Sequence, residues 1–282
     1  RCGCSMSGDK GDARPLGIFD SGMGGLTVMR AVRRALPQER IIYLGDTARL
    51  PYGTKSADTV TRYALQAAEH LMARDVKAIL VACNTASANA LPALARAFDP
   101  LPIIGVVEPG AEAAVAATRS GNIAVIATEG TVRGGAYRAA IHARMPHAKV
   151  TEIACPLFVA LAEEGLTQGE IVRLVASRYL DPVFGAGDAR PDTLVLGCTH
   201  FPVLAEAIQQ AAGKDVTLVD SAETAATDLA RVLAARGLLS KGPAQSPQFL
   251  ATDAAARFAR IGQLFLFAPI NEDQVTLVDL SA

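Results

Sequence analysis

Short apolar runs recur along the chain, separated by amphipathic stretches. Residues 16–19, 41–44, 78–82, 103–107, 123–127, 150–154, 194–196, 216–219 and 249–251 read as strands. They lack the alternation of apolar and polar residues found in half-exposed strands. Their near-continuous apolar character suits strands covered on both faces of a parallel sheet. Between them, residues 26–36, 57–74 and 170–180 space their apolar side chains at helical intervals. Alternating strands and helices predict an α/β fold, with mostly parallel sheets flanked by helices.

The pattern also echoes itself. Ala78-Ile-Leu-Val-Ala-Cys83-Asn-Thr is followed by a run expected to end as a strand tip at Val107-Glu108-Pro109-Gly110. Thr193-Leu-Val-Leu-Gly-Cys198-Thr-His is followed by a run expected to end at Val219-Asp220-Ser221-Ala222. Each half thus delivers a cysteine at the carboxyl end of a strand, with a second strand tip to follow. Apolar strands alone are too common in α/β proteins to establish a repeat. The matched cysteines favour two related halves facing each other across a cleft, at the strand ends where open α/β sheets hold ligands.

Composition narrows the partners. The 282 residues are half apolar and one-fifth charged, enough to bury a substantial core. Lys and Arg number 27 against 28 Asp and Glu, with no basic stripe to displace counterions from a phosphate backbone, so nucleic acid is disfavoured. The apolar runs fall well short of the roughly 20 residues needed to span a bilayer. The opening Arg-Cys-Gly-Cys-Ser-Met has no apolar signal-peptide core; Met6 reads as the natural start, and residues 7–15 are expected to be disordered. Five scattered cysteines do not form a disulfide framework, and the compartment expected is the reducing cytoplasm.

Five segments at strand ends carry candidate chemistry. Phe19-Asp20-Ser21-Gly-Met-Gly-Gly25 is a glycine-rich turn whose N–H groups can approach an anion. It matches neither common phosphate motif, and Asp20 would repel a phosphate, so a small zwitterion with an ammonium and carboxylates fits better. Cys83-Asn84-Thr85 and Cys198-Thr199-His200 place a thiol beside side chains that can hold a carboxylate, with His200 able to tune or protonate its neighbour. A buried cysteine is more often a small apolar filler, the role assigned to Cys155 in Ala154-Cys155-Pro156. Gly45-Asp46-Thr47-Ala-Arg49-Leu-Pro51-Tyr52-Gly53 and the acidic end Glu163-Glu164-Gly165 pass on composition alone as an ordinary loop and an exposed helix end. Zinc is disfavoured because the cysteines are far apart and lack paired ligand spacing. A cysteine hydrolase needs one thiol and a base, not two matched thiols. Two thiols in equivalent halves suit a reaction whose two directions are mirror images.

Taken in order, these motifs resemble glutamate racemase, of the aspartate/glutamate racemase superfamily, from about residue 17 to about 265. The resemblance rests on Phe-Asp20-Ser21-Gly-x-Gly-Gly, Gly-Asp46-Thr-Ala-Arg-x-Pro51-Tyr52-Gly53, Ala-Cys83-Asn84-Thr85-Ala-Ser, Cys-Pro-Leu-Phe-Val and Gly-Cys198-Thr199-His200-Phe-Pro. His200, where aspartate racemases usually carry Glu, favours glutamate. The resemblance implies two pseudo-symmetric α/β domains with the active site in the cleft between them, no cofactor and no metal. The domains expected are 16–105 with 220–282, and 106–219, after a tail of residues 1–15. It implies Cys83 and Cys198 as the proton donor and acceptor, assisted by Asp20, His200 and Glu163. It places Asp20, Ser21, Pro51, Tyr52, Gly53, Asn84, Thr85, Thr199 and His200 around glutamate, with Asp46 in support, and it allows a homodimer. Ala160 stands where many members carry proline. A relative acting on aspartate or another acid, and a glutamate-binding protein without catalysis, are the alternative readings.

Overall fold

The computed structural model describes residues 11–185 and 190–280. Strands β1 (Leu16–Asp20), β2 (Ile41–Gly45), β3 (Ala78–Val81) and β4 (Ile103–Gly105) come first, with helices α1 (Leu26–Ala35), α2 (Ala57–Met72) and α3 (Asn84–Ala97) between them. A second run holds α4 (Val107–Ala117), β5 (Asn122–Ala127), α5 (Glu129–Gly134), α6 (Ala136–Arg144), β6 (Lys149–Ala154) and α7 (Pro156–Glu163). It continues through α8 (Glu170–Phe184), β7 (Thr193–Gly197), α9 (Ala205–Ala212) and β8 (Thr217–Asp220). The chain then returns with α10 (Ser221–Ala235), β9 (Gln248–Ala251), α11 (Ala255–Leu266) and β10 (Val275–Leu277).

Two parallel sheets result, ordered β10-β9-β2-β1-β3-β4 and β6-β5-β7-β8. The run β2-β1-β3-β4 repeats as β6-β5-β7-β8, so the echo in the sequence is an echo in topology. In each sheet the chain reverses its direction of travel between two neighbouring strands, β1 and β3 in one and β5 and β7 in the other. That switch point opens a crevice at the strands' carboxyl ends. Cys83 follows β3 and Cys198 follows β7, one at each crevice.

Burial on both faces explains the missing alternation. In the first sheet Ile18, Ile41, Tyr43 and Leu80 pack with α1, α10 and α11, while Phe19, Ile42, Leu44 and Ile79 pack with α2 and α3. In the second, Ile126, Leu194 and Leu196 face α7, α8 and α9, while Ile123, Val125 and Val195 face α4 and α6. Among the described residues no helix is long and apolar enough to cross a membrane.

Two expectations change. Val107-Glu108-Pro109-Gly110 is the first turn of α4, not a strand tip. Proline is tolerated there because the N–H groups of a first turn have no partner within the helix. Residues 1–10 of the expected tail lie outside the described residues. Residues 11–15 are tied down: Gly11 bridges Ser240, and the Asp12 N–H donates to the Leu239 carbonyl at 3.3 Å.

Beneath this segment lies a buried ion pair, Lys77 Nζ to Glu39 Oε2 at 2.6 Å, with both side chains almost fully enclosed. Lys77 also donates to the Asp12 carbonyl at 2.7 Å, and Glu39 Oε1 accepts from the Ser240 N–H at 2.8 Å. Glu39→Gln leaves the lysine charge uncompensated and is expected to cost about 3–5 kcal/mol, whereas the double variant E39L/K77M is expected to recover most of it. Urea unfolding midpoints of the two variants decide this; an unchanged single variant would show that the pair is not needed.

Candidate active site

Cys83 occupies the position before the first turn of α3, which no side chain caps. Its thiol donates to Ser21 Oγ at 3.6 Å. Burial pushes the thiol up to about 12, helped by the negative charge of Asp20, while the Ala86 N–H and Ser21 pull the other way. The segment that carries the second thiol packs against the glycine-rich turn beside Cys83: Thr27 Oγ1 donates to the Thr199 carbonyl at 3.2 Å, and Gly24 lies against Thr199 and His200.

Asp20 ends β1 and is completely buried. The glycine-rich turn does not offer all its N–H groups to a ligand, because Gly22 and Gly25 donate to Asp20 Oδ2, both at 3.1 Å. Among the described residues Oδ1 has no hydrogen-bond partner. Burial raises the Asp20 carboxyl above its ordinary value against the pull of His200 and these N–H groups. Asn84 is similar: its Oδ1 accepts from the Tyr137 hydroxyl at 2.6 Å, and its buried Nδ2 has no partner among the described residues. An unsatisfied acceptor and an unsatisfied donor beside one thiol match the ammonium and carboxylate of an amino acid, since buried polar groups are rarely left without partners.

The second thiol has different company. Cys198 Sγ lies 3.7 Å from His200 Nδ1, and His200 Nε2 lies 3.1 Å from Glu163 Oε1 at the end of α7. Thr199 Oγ1 is 3.4 Å from the same Nδ1. Burial works to lower the His200 pKa, but the hydrogen bonds to Cys198 and Glu163 prevail and raise it to about 10. The direction favours the protonated imidazole, which stands where it can stabilise negative charge on the Cys198 sulfur. Burial alone would raise Glu163; its hydrogen bonds and its attraction to His200 and Arg257 leave it lowered.

The remaining expected residues line or brace the same region. Asp46 is fully buried and accepts from the Tyr52 hydroxyl, from Arg49 Nε at 2.7 Å and from Thr252 Oγ1 at 3.0 Å. Thr85 Oγ1 lies 2.9 Å from Thr128 Oγ1 and 3.2 Å from Thr131 Oγ1. Gly53 sits so close to Thr128 that a Cβ there would lie 2.6 Å from the threonine Cβ, which explains the glycine. Gly24 is held likewise, since its Cβ would approach the His200 ring and Thr199 Oγ1 to 2.6 Å. Pro51 is exposed and, with Gly53, Thr128, Val159 and Glu163, lines a cavity of about 240 Å³ at the mouth. A larger cavity of about 720 Å³ lies beside Lys77 and Pro102, at the amino ends of β3 and β4 and away from the thiols. Cys155 is buried and its thiol pushed up by burial, with Ile153 O as its hydrogen-bond partner at 3.6 Å. Among the described residues no cluster of His, Cys, Asp and Glu is arranged to hold a metal ion.

Thr128, Thr131, Tyr137 and Arg257 joined the site only in three dimensions. Thr128 had a signal: it follows β5 as Ser21 follows β1, and it caps α5 by accepting from the Thr131 N–H.

The model of the Asp/Glu/hydantoin racemase family matches residues 22–229. This chain belongs to that family. Within it, the chain is a racemase similar to the glutamate racemases along nearly its whole length. It is 51% identical over 260 residues to the glutamate racemase of Geobacter metallireducens, covering 92% of this chain and 95% of that one. It is 48% identical to the enzyme of Chlorobaculum tepidum, covering 89% and 92%. The crystal structure of the Francisella tularensis glutamate racemase with D-glutamate superposes with a TM-score of 0.89 at 38% identity, covering 96% of this chain and 99% of that one.

Proposed function

We propose that this racemase interconverts L- and D-glutamate by direct proton transfer at Cα between Cys83 and Cys198, without a cofactor. The observation that carries the reading is the pair of thiols at equivalent strand ends of two sheets with one topology, each with its own acid–base partners. The units 16–105 with 220–282, and 106–219, serve as the two domains, and glutamate lies between them.

In this mechanism one thiolate takes the α-proton while the opposing thiol gives its proton to the other face of the carbanion. The net change at carbon is inversion, and the thiol and thiolate exchange roles. Acid and base must stand on opposite faces at once, which one group cannot do. Asp20 Oδ1 receives the substrate ammonium, and Asn84, Thr85 and Thr199 hold the α-carboxylate; Ser21, Pro51, Tyr52, Gly53 and His200 complete the wall, with Asp46 bracing Tyr52. Substrate binding itself prepares Cys83, because an ammonium against Asp20 cancels the charge that helps keep the thiol protonated. On the other side His200, steadied by Glu163, balances the charge of Cys198. General acid–base groups supply roughly 10²–10⁴-fold, so positioning and fixed dipoles carry the rest.

D-Glutamate so made would feed peptidoglycan synthesis, in a cytoplasm that keeps the thiols reduced. A homodimer, the assembly the resemblance allows, would leave the reaction within one chain, since both thiols and their partners come from that chain. Pure L-glutamate in deuterated water tests the proposal. D-Glutamate carrying deuterium at Cα is expected by NMR and chiral chromatography; inversion without deuterium would overturn the mechanism. Preference for aspartate in a substrate panel would overturn the substrate, and binding without exchange would leave only a glutamate-binding protein.

A further inference from the structure

Helix α11 belongs to the first unit in sequence, yet it grips the partners of the second thiol. In its first turn Arg257 donates through Nη2 to Glu163 Oε2 at 3.2 Å and to the Glu163 carbonyl at 3.5 Å, with Glu164 Oε1 3.9 Å away. The other Glu163 oxygen holds His200 Nε2, and His200 Nδ1 faces Cys198. Two turns further along the same face of α11, Phe265 meets the His200 ring edge-on, with centroids 5.2 Å apart.

The launch of this helix is itself fixed. Ala254 precedes it with φ +54, a left-handed conformation that an alanine holds only when its surroundings impose it. The imposing contacts run to the Asp46 loop. The Asp253 N–H donates to Thr47 Oγ1 at 2.9 Å, the Thr47 hydroxyl donates back to the Asp253 carbonyl at 2.6 Å, and Thr252 Oγ1 donates to Asp46 Oδ1 at 3.0 Å. One buried carboxylate, Asp46, thus sets both Tyr52 and the start of the helix that carries Arg257.

We propose that Arg257 is a positioning residue for proton transfer at Cys198, acting through Glu163 and His200. A carboxylate held at both oxygens cannot rotate, so Glu163 presents one fixed lone pair to Nε2, and the ring keeps Nδ1 on the sulfur. Among the described residues no side chain of the other unit hydrogen-bonds the Cys83 thiol: its hydrogen-bond partners, Ser21 Oγ and the Ala86 N–H, belong to the first, and Tyr137 and Thr128 of the second reach only the neighbouring Asn84 and Thr85. Arg257 therefore serves one of the two transfers and not both. The inference rests on the two-thiol reading above.

The test is Arg257→Gln with α-deuterated L- and D-glutamate. Arg257 is over one-third exposed, so the variant keeps its fold, which near-ultraviolet circular dichroism checks. Racemisation is expected to fall about tenfold, the scale of a charge-assisted hydrogen bond partly open to water. R257K, which keeps the cation, is expected to recover most of that loss. The deciding readout is the primary isotope effect on kcat/KM. Slowing only the Cys198 transfer raises it for the enantiomer whose proton Cys198 removes and lowers it for the mirror image. Isotope effects that stay put, or move alike for both enantiomers, would overturn the role of Arg257. Failure of the two-thiol reading shows up separately, as a wild-type enzyme that places no solvent deuterium at Cα.

Discussion

Cys83→Ser and Cys198→Ser are each expected to lower racemisation by about 10³-fold or more while preserving proton exchange on one face of the substrate. A serine hydroxyl is a far weaker acid than a thiol and leaves no usable base at neutral pH, so the contribution of one general acid–base group is lost. The remaining thiol still stands on its own face of Cα. It can remove a proton there and return a deuteron to the same face, giving exchange with retention. The two variants should therefore label opposite enantiomers of glutamate in deuterated water. Rates of inversion cannot show this difference. Enantiomers have equal free energy in water, so the equilibrium constant is unity and kcat/KM must fall equally in both directions. NMR of recovered L- and D-glutamate gives the answer. Racemisation within tenfold of wild type in either variant, or both enantiomers labelled by both variants, would end the two-base reading.

The legible parts of the fold and site are those whose signal is local. Ile18-Phe19 and Ile42-Tyr43-Leu44 read as strands because neighbouring side chains are buried on opposite faces, leaving no polar residue in the run. β10 was missed for the opposite reason: it is three residues at the sheet edge, with Thr276 and Leu277 exposed. The run 103–107 patterns as a strand two residues beyond β4 because Val106 and Val107 are β-branched, and packing of Val107 under the second sheet decides for helix. In the candidate site, Asp20, Ser21, Cys83, Asn84, Thr85, Cys198, Thr199 and His200 all stand at strand ends, where position alone makes polar residues conspicuous. Glu163 and Asp46 needed the family resemblance. Arg257 was not legible: an arginine in the first turn of an amphipathic helix reads as a solvated face, and its partner Glu163 lies 94 residues away. Pairings across that span come from how the units pack, which no local pattern encodes.

His200→Asn is expected to reduce kcat/KM by roughly 10²–10³-fold and to flatten part of the dependence of stability on pH. Cys198 would lose the cation that balances its charge. The groups facing the ring are Cys198 and Thr199 on its own segment, Glu163 on α7 and Asp20 at the end of β1, with Arg257 behind Glu163. The sign follows from the direction of the shift. His200 titrates near 6.5 unfolded and is raised to about 10 in the folded protein, so the folded state holds the proton more tightly. Its contribution to stability is fully present below about pH 6.5 and is lost as pH rises through about 10. Wild type should therefore exceed the variant in stability most at neutral and mildly acidic pH, with the gap closing as the solution becomes alkaline. Glu163 works in the other direction: its lowered value adds stability above its ordinary range, lost only as acid protonates it. Urea midpoints of both proteins between pH 6 and pH 10.5 isolate the His200 contribution, because Glu163 titrates below that window. A gap that does not narrow across this window would mean that His200 is held neutral, and that Cys198 must find its balancing charge elsewhere.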